Sequence, residues 1–238
     1  MKKLALFVAL ALGLASAPFA LGAESIHLIE GQYLEAWAGD IGEWTAVGEV
    51  YLDSDDPTRL RSERGTSIAL NGSTGRTKHL ISTAEHGDAK VHVEFMVPKG
   101  SNSGVYLQGR YEIQILDSFG KKNLAFEDCG AIYQRYNERE GRGWEGHPPR
   151  VNASRAPGEW QSFDIEFQAP RFDEQGNKIA NAKFVRVMHN GRLVHENVEV
   201  SGPTRASKWR DEVPRAPLML QGDHGPVAYR NVILTPLD

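Results

Sequence analysis

Hydrophobic and polar residues alternate in short stretches along most of the chain, and Gly, Pro, Asn and Asp separate the stretches. Between Val91 and Val97 the apolar residues recur at every second position, which is the period of a half-buried β-strand. Similar segments run over residues 160–168 and 227–234, and helical periodicity is nearly absent after residue 22. Short strands bounded by turn residues are typical of sandwiches and barrels. The pattern therefore predicts an all-β protein.

A hairpin is predicted in the second half of the chain. The strand-like segments 183–188 and 193–200 flank a short turn that contains Asn190 and Gly191. Asn-Gly is the strongest two-residue hairpin signal, because both central residues of a type I′ turn need a positive φ.

The segment from Val105 to about Leu116 is predicted to be one long strand with a distinctive polar face. One face carries mostly core residues, and the other carries Tyr106, Gln108, Arg110, Glu112 and Gln114. An ordinary solvated outer face would explain this row, but such faces are usually rich in Lys, Thr and Ser. Amides, a guanidinium and a carboxylate suit a polyhydroxylated ligand instead. We favour a carbohydrate-binding face and keep the solvated face as the alternative.

A Gly-rich polar turn near the C-terminus offers further candidate chemistry. Gln221 to Gly225 lies between two apolar segments, and its glycines allow the backbone to approach a ligand closely. His224 in this turn can exchange a proton near neutral pH. Asp164 and Glu166 alternate with core residues on another predicted strand, where a binding face and a solvent face are equally consistent with the pattern.

Composition limits the partners and the compartment. The first 22 residues have a basic start, an apolar run and small residues, as a secretory signal peptide does. We expect a secreted or periplasmic protein with one domain over residues 24–238 and no membrane span. Without Lys2 and Lys3 the chain holds 25 basic and 31 acidic residues and no basic stripe, which argues against nucleic acid. Cys129 is the single cysteine, so no internal disulfide is expected.

Several of these segments resemble one known family. The longest is Asn-Ser-Gly-Val-Tyr-Leu-Gln-Gly-Arg-Tyr-Glu-Ile-Gln-Ile-Leu-Asp-Ser over residues 102–118, and shorter ones lie at 129–133, 157–160, 189–191 and 220–232. In this order they are similar to the 3-keto-disaccharide hydrolase domain family. The resemblance implies a concanavalin-A-like jelly-roll β-sandwich of two antiparallel sheets, related to the laminarinase and lichenase fold.

The resemblance also implies an unusual way of breaking the glycosidic bond. Glu112 matches the nucleophile position of the related glucanases, but Gln114 and Leu116 stand where those enzymes have further carboxylates. Retaining hydrolysis needs two carboxylates about 5 Å apart, and this strand does not supply them. A ketone at C3 of the sugar acidifies the C2 proton and makes the C1 oxygen a leaving group. The implied activity is cleavage of 3-keto-glycosides by hydrolysis, or by elimination followed by hydration.

Such cleavage needs a base for the C2 proton, donors for the enolate oxygen and an acid for the leaving oxygen. Glu112 and His224 are the candidate reactive pair, with either one as the base. The remaining candidates for binding the substrate are Tyr106, Gln108, Arg110, Gln114 and Gln221. A divalent metal held by Glu112, His224 and His147 is left open, although no tight ligand spacing indicates it. The alternative function is a non-catalytic carbohydrate-binding module on the same scaffold.

Overall fold

A computed structural model of the protein describes residues 24–29 and 34–238. The described residues form 16 β-strands and no α-helix, and none of their segments is a helix long and apolar enough to cross a membrane. The expected signal peptide, residues 1–22, lies outside the described residues. All strand pairs in the described part of the chain are antiparallel, which confirms the predicted all-β class.

The larger sheet has eight strands and supplies one wall of a sandwich. Its strands run in the order β14-β13-β10-β5-β16-β3-β2, with β1 paired to β16. Their bounds are β1 Ile26–His27, β2 Thr45–Leu52, β3 Leu60–Leu70, β5 Ala89–Met96, β10 Gln161–Gln168, β13 Ala182–His189, β14 Arg192–Val200 and β16 Ala228–Pro236.

The smaller sheet has four strands in the order β4-β15-β6-β7. Their bounds are β4 Leu80–His86, β6 Asn102–Leu107, β7 Tyr111–Leu116 and β15 Ala216–Leu220. Two separate two-stranded ribbons complete the described part of the chain: β8 Arg135–Asn137 with β9 Arg142–Trp144, and β11 Arg171–Phe172 with β12 Lys178–Ala180.

The core lies between the two sheets and is built from alternate residues of each strand. On β5, Val93 and Phe95 are fully buried, as their period-two spacing predicts. The ring of Phe95 packs 4.8 Å from that of Phe163 on β10. Tyr111 of the smaller sheet reaches across to Phe167 of the larger one, with ring centroids 5.4 Å apart. Aromatic packing therefore joins the two sheets in a protein that has no disulfide.

The predicted Asn-Gly hairpin is confirmed. The turn joins β13 to β14, and Asn190 and Gly191 have φ of 49° and 74°. The segments expected at 91–97, 160–168 and 227–234 are β5, β10 and β16 within a residue or two at most ends.

The prediction of a single strand over residues 105–116 is wrong, because the segment is a hairpin. Its turn, residues 108–110, contains Gln108 and Gly109 with φ of 54° and 63°. Across the turn Tyr106 pairs with Glu112, and Leu107 with Tyr111. Because the turn has an odd number of residues, even-numbered positions of both strands lie on one face of the hairpin and odd-numbered positions lie on the other. The alternation therefore passes through the turn unbroken and imitates one long strand.

Three buried histidines make the fold sensitive to acid. Burial lowers the pKa of His86 and His195 from 6.5 to about 4 and that of His189 to about 3. Between pH 6.5 and 4 these histidines therefore bind protons in the unfolded chain but stay neutral in the folded chain. The stability that these neutral rings contribute is complete above pH 6.5 and is lost as the pH falls towards 4.

We expect the free energy of unfolding to fall by about 1 kcal/mol for each of these histidines between pH 7.5 and 5.5. Urea unfolding of the Glu112→Gln variant at the two pH values measures the change, because the raised pKa of the Glu112 carboxyl gives the wild type an opposing gain in stability over this range. This window lies above the range in which the carboxylates of lowered pKa take up protons, so their contribution stays small. Equal stability of this variant at pH 7.5 and 5.5 would contradict the assignment of neutral buried rings.

Candidate active site

The β6–β7 hairpin forms the floor of a polar pocket. Tyr106 and Glu112 are directly opposite each other, and Gly104 is opposite Gln114. Directly opposed residues of an antiparallel pair project from the same face, so the three side chains lie together. A methyl group at Gly104 would collide with a carboxyl oxygen of Glu112. The absence of a side chain there makes room for the carboxyl group.

The pocket has a volume of about 360 Å³ and collects residues from four parts of the chain. It is lined by Asn102, Tyr106, Glu112, Gln114, Tyr133, Arg205, Ala206, Gln221 and His224. Five of the sequence-predicted site residues are therefore brought together: Tyr106, Glu112, Gln114, Gln221 and His224.

Glu112 is held in an environment that opposes its ionisation. Its side chain is 3 % exposed. Burial raises the pKa of the Glu112 carboxyl from 4.5 to about 8, and the negative charge of Asp223 adds to the rise. A hydrogen bond with the Tyr106 hydroxyl acts in the opposite direction, and no cation contributes to lowering this pKa. Glu112 is therefore largely a neutral carboxylic acid at pH 7, the form that can donate a proton.

Two amide oxygens in the pocket are buried without a hydrogen-bond partner among the described residues. They are Oε1 of Gln114 and Oε1 of Gln221, whose side chains are 3 % and 5 % exposed. Buried polar atoms are normally paired, and an unpaired one costs free energy. Both oxygens are available to accept hydrogen bonds from the hydroxyls of a bound ligand.

His224 reaches the pocket from the Gly-rich turn between β15 and β16. The backbone N–H of Gln221 donates to the Gly104 carbonyl at 2.9 Å and ties this turn to the pocket floor. Gly225 packs so closely against Ser101 that a side chain at position 225 would collide with the serine hydroxyl. The His224 side chain is half-exposed, and its Nδ1 lies 2.5 Å from Oδ1 of Asp223.

Arg205 and Tyr133 also line the pocket, although the sequence did not predict them as site residues. The Arg205 guanidinium stacks over the Tyr136 ring at 3.9 Å. Burial, and then the charge of Glu112, raise the pKa of the Tyr133 hydroxyl. Tyr133 ends the family-like segment 129–133, and that resemblance is the sequence signal for it. Arg205 lies in an irregular segment with no periodicity, and nothing in the pattern points to it.

Gln108 and Arg110 do not line the pocket, contrary to the prediction, because they belong to the hairpin turn. The Gln108 side-chain N–H groups donate to the carbonyls of His86 and Pro214 at 3.1 and 3.0 Å. The Arg110 guanidinium donates to the carbonyl of Asp211 and packs 5.3 Å from the Trp209 ring. Both side chains are buried in structural contacts.

The turn that contains these two residues anchors one wall of the pocket. The N–H of Thr204 donates to the Arg110 carbonyl, and the N–H of Lys208 donates to the Gly109 carbonyl, both at 2.9 Å. These two bonds bracket the stretch that carries Arg205 and Ala206. We call residues 204–208 the wall segment.

His147 does not join Glu112 and His224, so the suggested set of three metal ligands is not assembled. Its backbone pairs with Ile132, and its side chain lies near His195 on β14. Within residues 24–29 and 34–238, no three His, Cys, Asp or Glu side chains are close enough together to hold a metal ion.

A second depression of similar volume, about 370 Å³, lies on the outer face of the larger sheet. It contains Asp164 and Glu166, whose carboxylates approach His92 at 2.6 Å and Arg186 at 3.7 Å. These carboxylates are partly exposed and paired, unlike Glu112. We therefore take the Glu112 pocket as the candidate functional site.

Solved structures support the architecture. Three candidate glycosyl hydrolases from Parabacteroides distasonis ATCC 8503 are similar to this chain. The first is 24 % identical with a TM-score of 0.61 and covers 90 % of this chain and 84 % of its own. The others are 14 % and 17 % identical with TM-scores of 0.58 and 0.56, and each covers 90 % of this chain and 94 % and 100 % of its own. The expected concanavalin-A-like jelly-roll sandwich is confirmed.

A comparison with curated protein sequences gave no match. The profile of one family matches residues 24–235, which include every residue of the pocket. This match confirms the resemblance inferred from the segment 102–118 and its companions, and it supports a carbohydrate-active function. The chain belongs to the 3-keto-alpha-glucoside-1,2-lyase-like domain family.

Proposed function

We propose that this protein cleaves 3-keto-glycosides in the Glu112 pocket, by elimination across C1 and C2 followed by hydration. The observation that carries the proposal is the environment of Glu112. This carboxyl is buried without a counter-cation and keeps its proton at neutral pH, and His224 lines the same pocket. A neutral carboxylic acid and an imidazole are the two proton-transfer groups that the reaction requires.

Other pocket residues match the remaining needs of the reaction. The unpaired oxygens of Gln114 and Gln221 would accept hydrogen bonds from sugar hydroxyls and orient the ring. Negative charge develops on the C3 oxygen when the C2 proton leaves, and a positioned cation stabilises such an oxyanion. Arg205, rather than the predicted Arg110, is the guanidinium that lines the pocket.

The same geometry argues against a purely binding function. A binding module needs hydrogen-bond donors and acceptors but gains nothing from a buried carboxyl that no cation pairs with. Ionisation of Glu112 within the folded protein is unfavourable, so the residue lowers stability at alkaline pH. A buried group with a strongly shifted pKa that lowers the stability of the fold is typical of a catalytic site.

The proposal is tested by incubating the purified protein with 3-keto-trehalose and, as a matched control, with trehalose. We expect NMR to show release of glucose and of a 3-keto product from the first sugar alone, because trehalose lacks the ketone that acidifies C2–H. Parallel reactions with EDTA and with added divalent ions test metal dependence. If neither 3-keto-trehalose nor a chromogenic 3-keto-glucoside is cleaved under any condition while sugars still bind, the binding-module function replaces the proposal.

A further inference from the structure

The turn that carries Asp223 and His224 is held firmly by its backbone. The N–H of Gly222 donates to Nδ1 of His79 at 3.2 Å, and the Gly222 carbonyl accepts from the N–H of Thr77 at 2.9 Å. On the other side of the pair, the N–H of Gly225 donates to the Gly75 carbonyl at 3.0 Å. These contacts fix the backbone on both sides of Asp223 and His224, so the turn presents the two side chains in a defined orientation.

The contacts of Asp223 determine where the imidazole protons lie. Its Oδ1 is 2.5 Å from Nδ1 of His224 and 3.9 Å from Nδ1 of His79. Nδ1 of His79 already accepts the Gly222 N–H, so it has no proton to donate to Asp223. The short contact is therefore a hydrogen bond from the Nδ1–H of His224 to the carboxylate. In neutral His224 the lone pair is then on Nε2, the nitrogen left for the pocket.

We propose, on the basis of the proposed function, that Asp223 is a positioning residue that fixes His224 as the proton acceptor and leaves Glu112 as the proton donor. The sequence left open which of the pair acts as the base. The carboxylate of Asp223 decides it, because it holds the His224 proton on the nitrogen away from the substrate and favours the protonated form of Glu112.

The charges around Glu112 support this division. The titratable and charged groups that line the pocket with it are Tyr106 on β6, Tyr133 after β7, Arg205 on the wall segment and His224 on the turn. Asp223 does not line the pocket, but its charge acts on Glu112. Burial is the main reason that the pKa of Glu112 is raised to about 8, and Asp223 is the charged group that raises it further. When the surroundings favour the protonated form of a carboxyl group beside a base of fixed orientation, the carboxyl is the acid of the pair.

The resulting step balances without an oxidant or a reductant. Nε2 of His224 takes the proton from C2, and the C–H electrons form the enolate across C2 and C3. The enolate then returns to the C3 ketone, a C1–C2 double bond forms, and the C1–O bond breaks. Glu112 gives its proton to the departing oxygen. The products are an enone and an alcohol, and exchange with water returns the proton from His224 to Glu112.

The first test compares Asp223→Asn with Asp40→Asn. Asp40 is exposed, pairs with Lys78 and shares a neighbouring cleft with Asp223, so its replacement makes the same charge change without touching His224. We expect Asp223→Asn to lower kcat between about 10- and 10³-fold with KM changed less than about threefold. The alkaline limb of the pH profile should move to lower pH, since Glu112 loses a neighbouring negative charge. Asp223→Glu should restore part of the activity.

A second test uses the imidazole ¹⁵N chemical shifts of the full chain and does not need turnover. In the wild type we expect His224 to be in the Nδ1–H form at pH 8, and in Asp223→Asn to be a mixture of tautomers. Failure of the wild type to cleave any 3-keto-glycoside would refute the proposed function, and the tautomer measurement would still test the role of Asp223. Wild-type kcat and pH profile in Asp223→Asn, equal losses in Asp40→Asn, or an Nε2–H form of His224 would overturn the inference.

Discussion

Replacing Glu112 by glutamine should abolish most turnover of a 3-keto-glycoside and make the fold more stable at alkaline pH. Glutamine keeps the shape of the side chain but has no carboxyl proton to give, and loss of a positioned acid or base typically costs about 10²–10⁴ in rate. The stability effect follows from the pKa. The contribution of protonated Glu112 is complete below pH 4.5 and is lost as the pH rises through about 8. Glutamine stays neutral, so we expect a gain of about 2–4 kcal/mol at pH 9 that is nearly absent at pH 5.

Glu94→Gln is the matched control for this prediction. Glu94 is a partly buried glutamate, and Arg230 and Asn231 donate to its oxygens at 2.6 and 2.9 Å. Burial raises the pKa of Glu94, and these hydrogen bonds more than offset the rise, so that its pKa is lowered. Its replacement should lower stability and leave turnover intact. The interpretation of Glu112 fails if Glu112→Gln turns over substrate at the wild-type rate or shows no pH-dependent gain in urea unfolding.

His224→Ala should also remove most of the activity, by about 10²–10⁴-fold, while the melting temperature stays nearly the same. The imidazole is half-exposed, and the turn is held by backbone contacts that do not involve it. Binding of the 3-keto sugar, measured by calorimetry, should survive in this variant or in Glu112→Gln. His92→Ala is a suitable control, because His92 is a partly exposed histidine with an aspartate partner, Asp164 at 2.6 Å, on the larger sheet. Comparable losses of activity in both histidine variants would point to a general effect and not to chemistry at His224.

Period-two spacing was sufficient to predict an all-β protein, and the family resemblance implied the sandwich. The burial of Val93 and Phe95 follows directly from their positions in the strand. When one face of a strand is exposed to solvent, a register shift of one residue would expose the apolar side chains, so the register is strongly specified. The hairpin at 108–110 was missed for a physical reason. Gln108 is not a typical turn residue, yet its φ is 54°, and the three-residue turn preserves the alternation. Periodicity describes which face a residue occupies, but not where the chain reverses.

The site was predictable where it lies on strands or in a glycine-marked turn. Glu112 and Gln114 were identified from alternation, and His224 from the glycines around it. Arg205 was out of reach because its place in the pocket depends on tertiary hydrogen bonds of an irregular segment. The hairpin turn at 108–110 explains why Arg110 was wrongly predicted to line the pocket. Its even number places it with the polar face in the alternation, but the residue lies in the turn and not on a strand.

The attachment of the wall segment to the hairpin turn has a consequence for how such a pocket diversifies. The floor of the pocket is built into the smaller sheet, whereas the wall segment is attached to the hairpin turn by two backbone hydrogen bonds to Gly109 and Arg110. Backbone bonds do not depend on side-chain identity, so the side chains at positions 206 and 207 can change without loss of the attachment, as long as the residue at 206 tolerates the φ of 62° that Ala206 has. A chimera that exchanges these two residues between relatives should therefore alter the choice of sugar or leaving group while retaining the reaction, provided that Arg205 and the turn are kept.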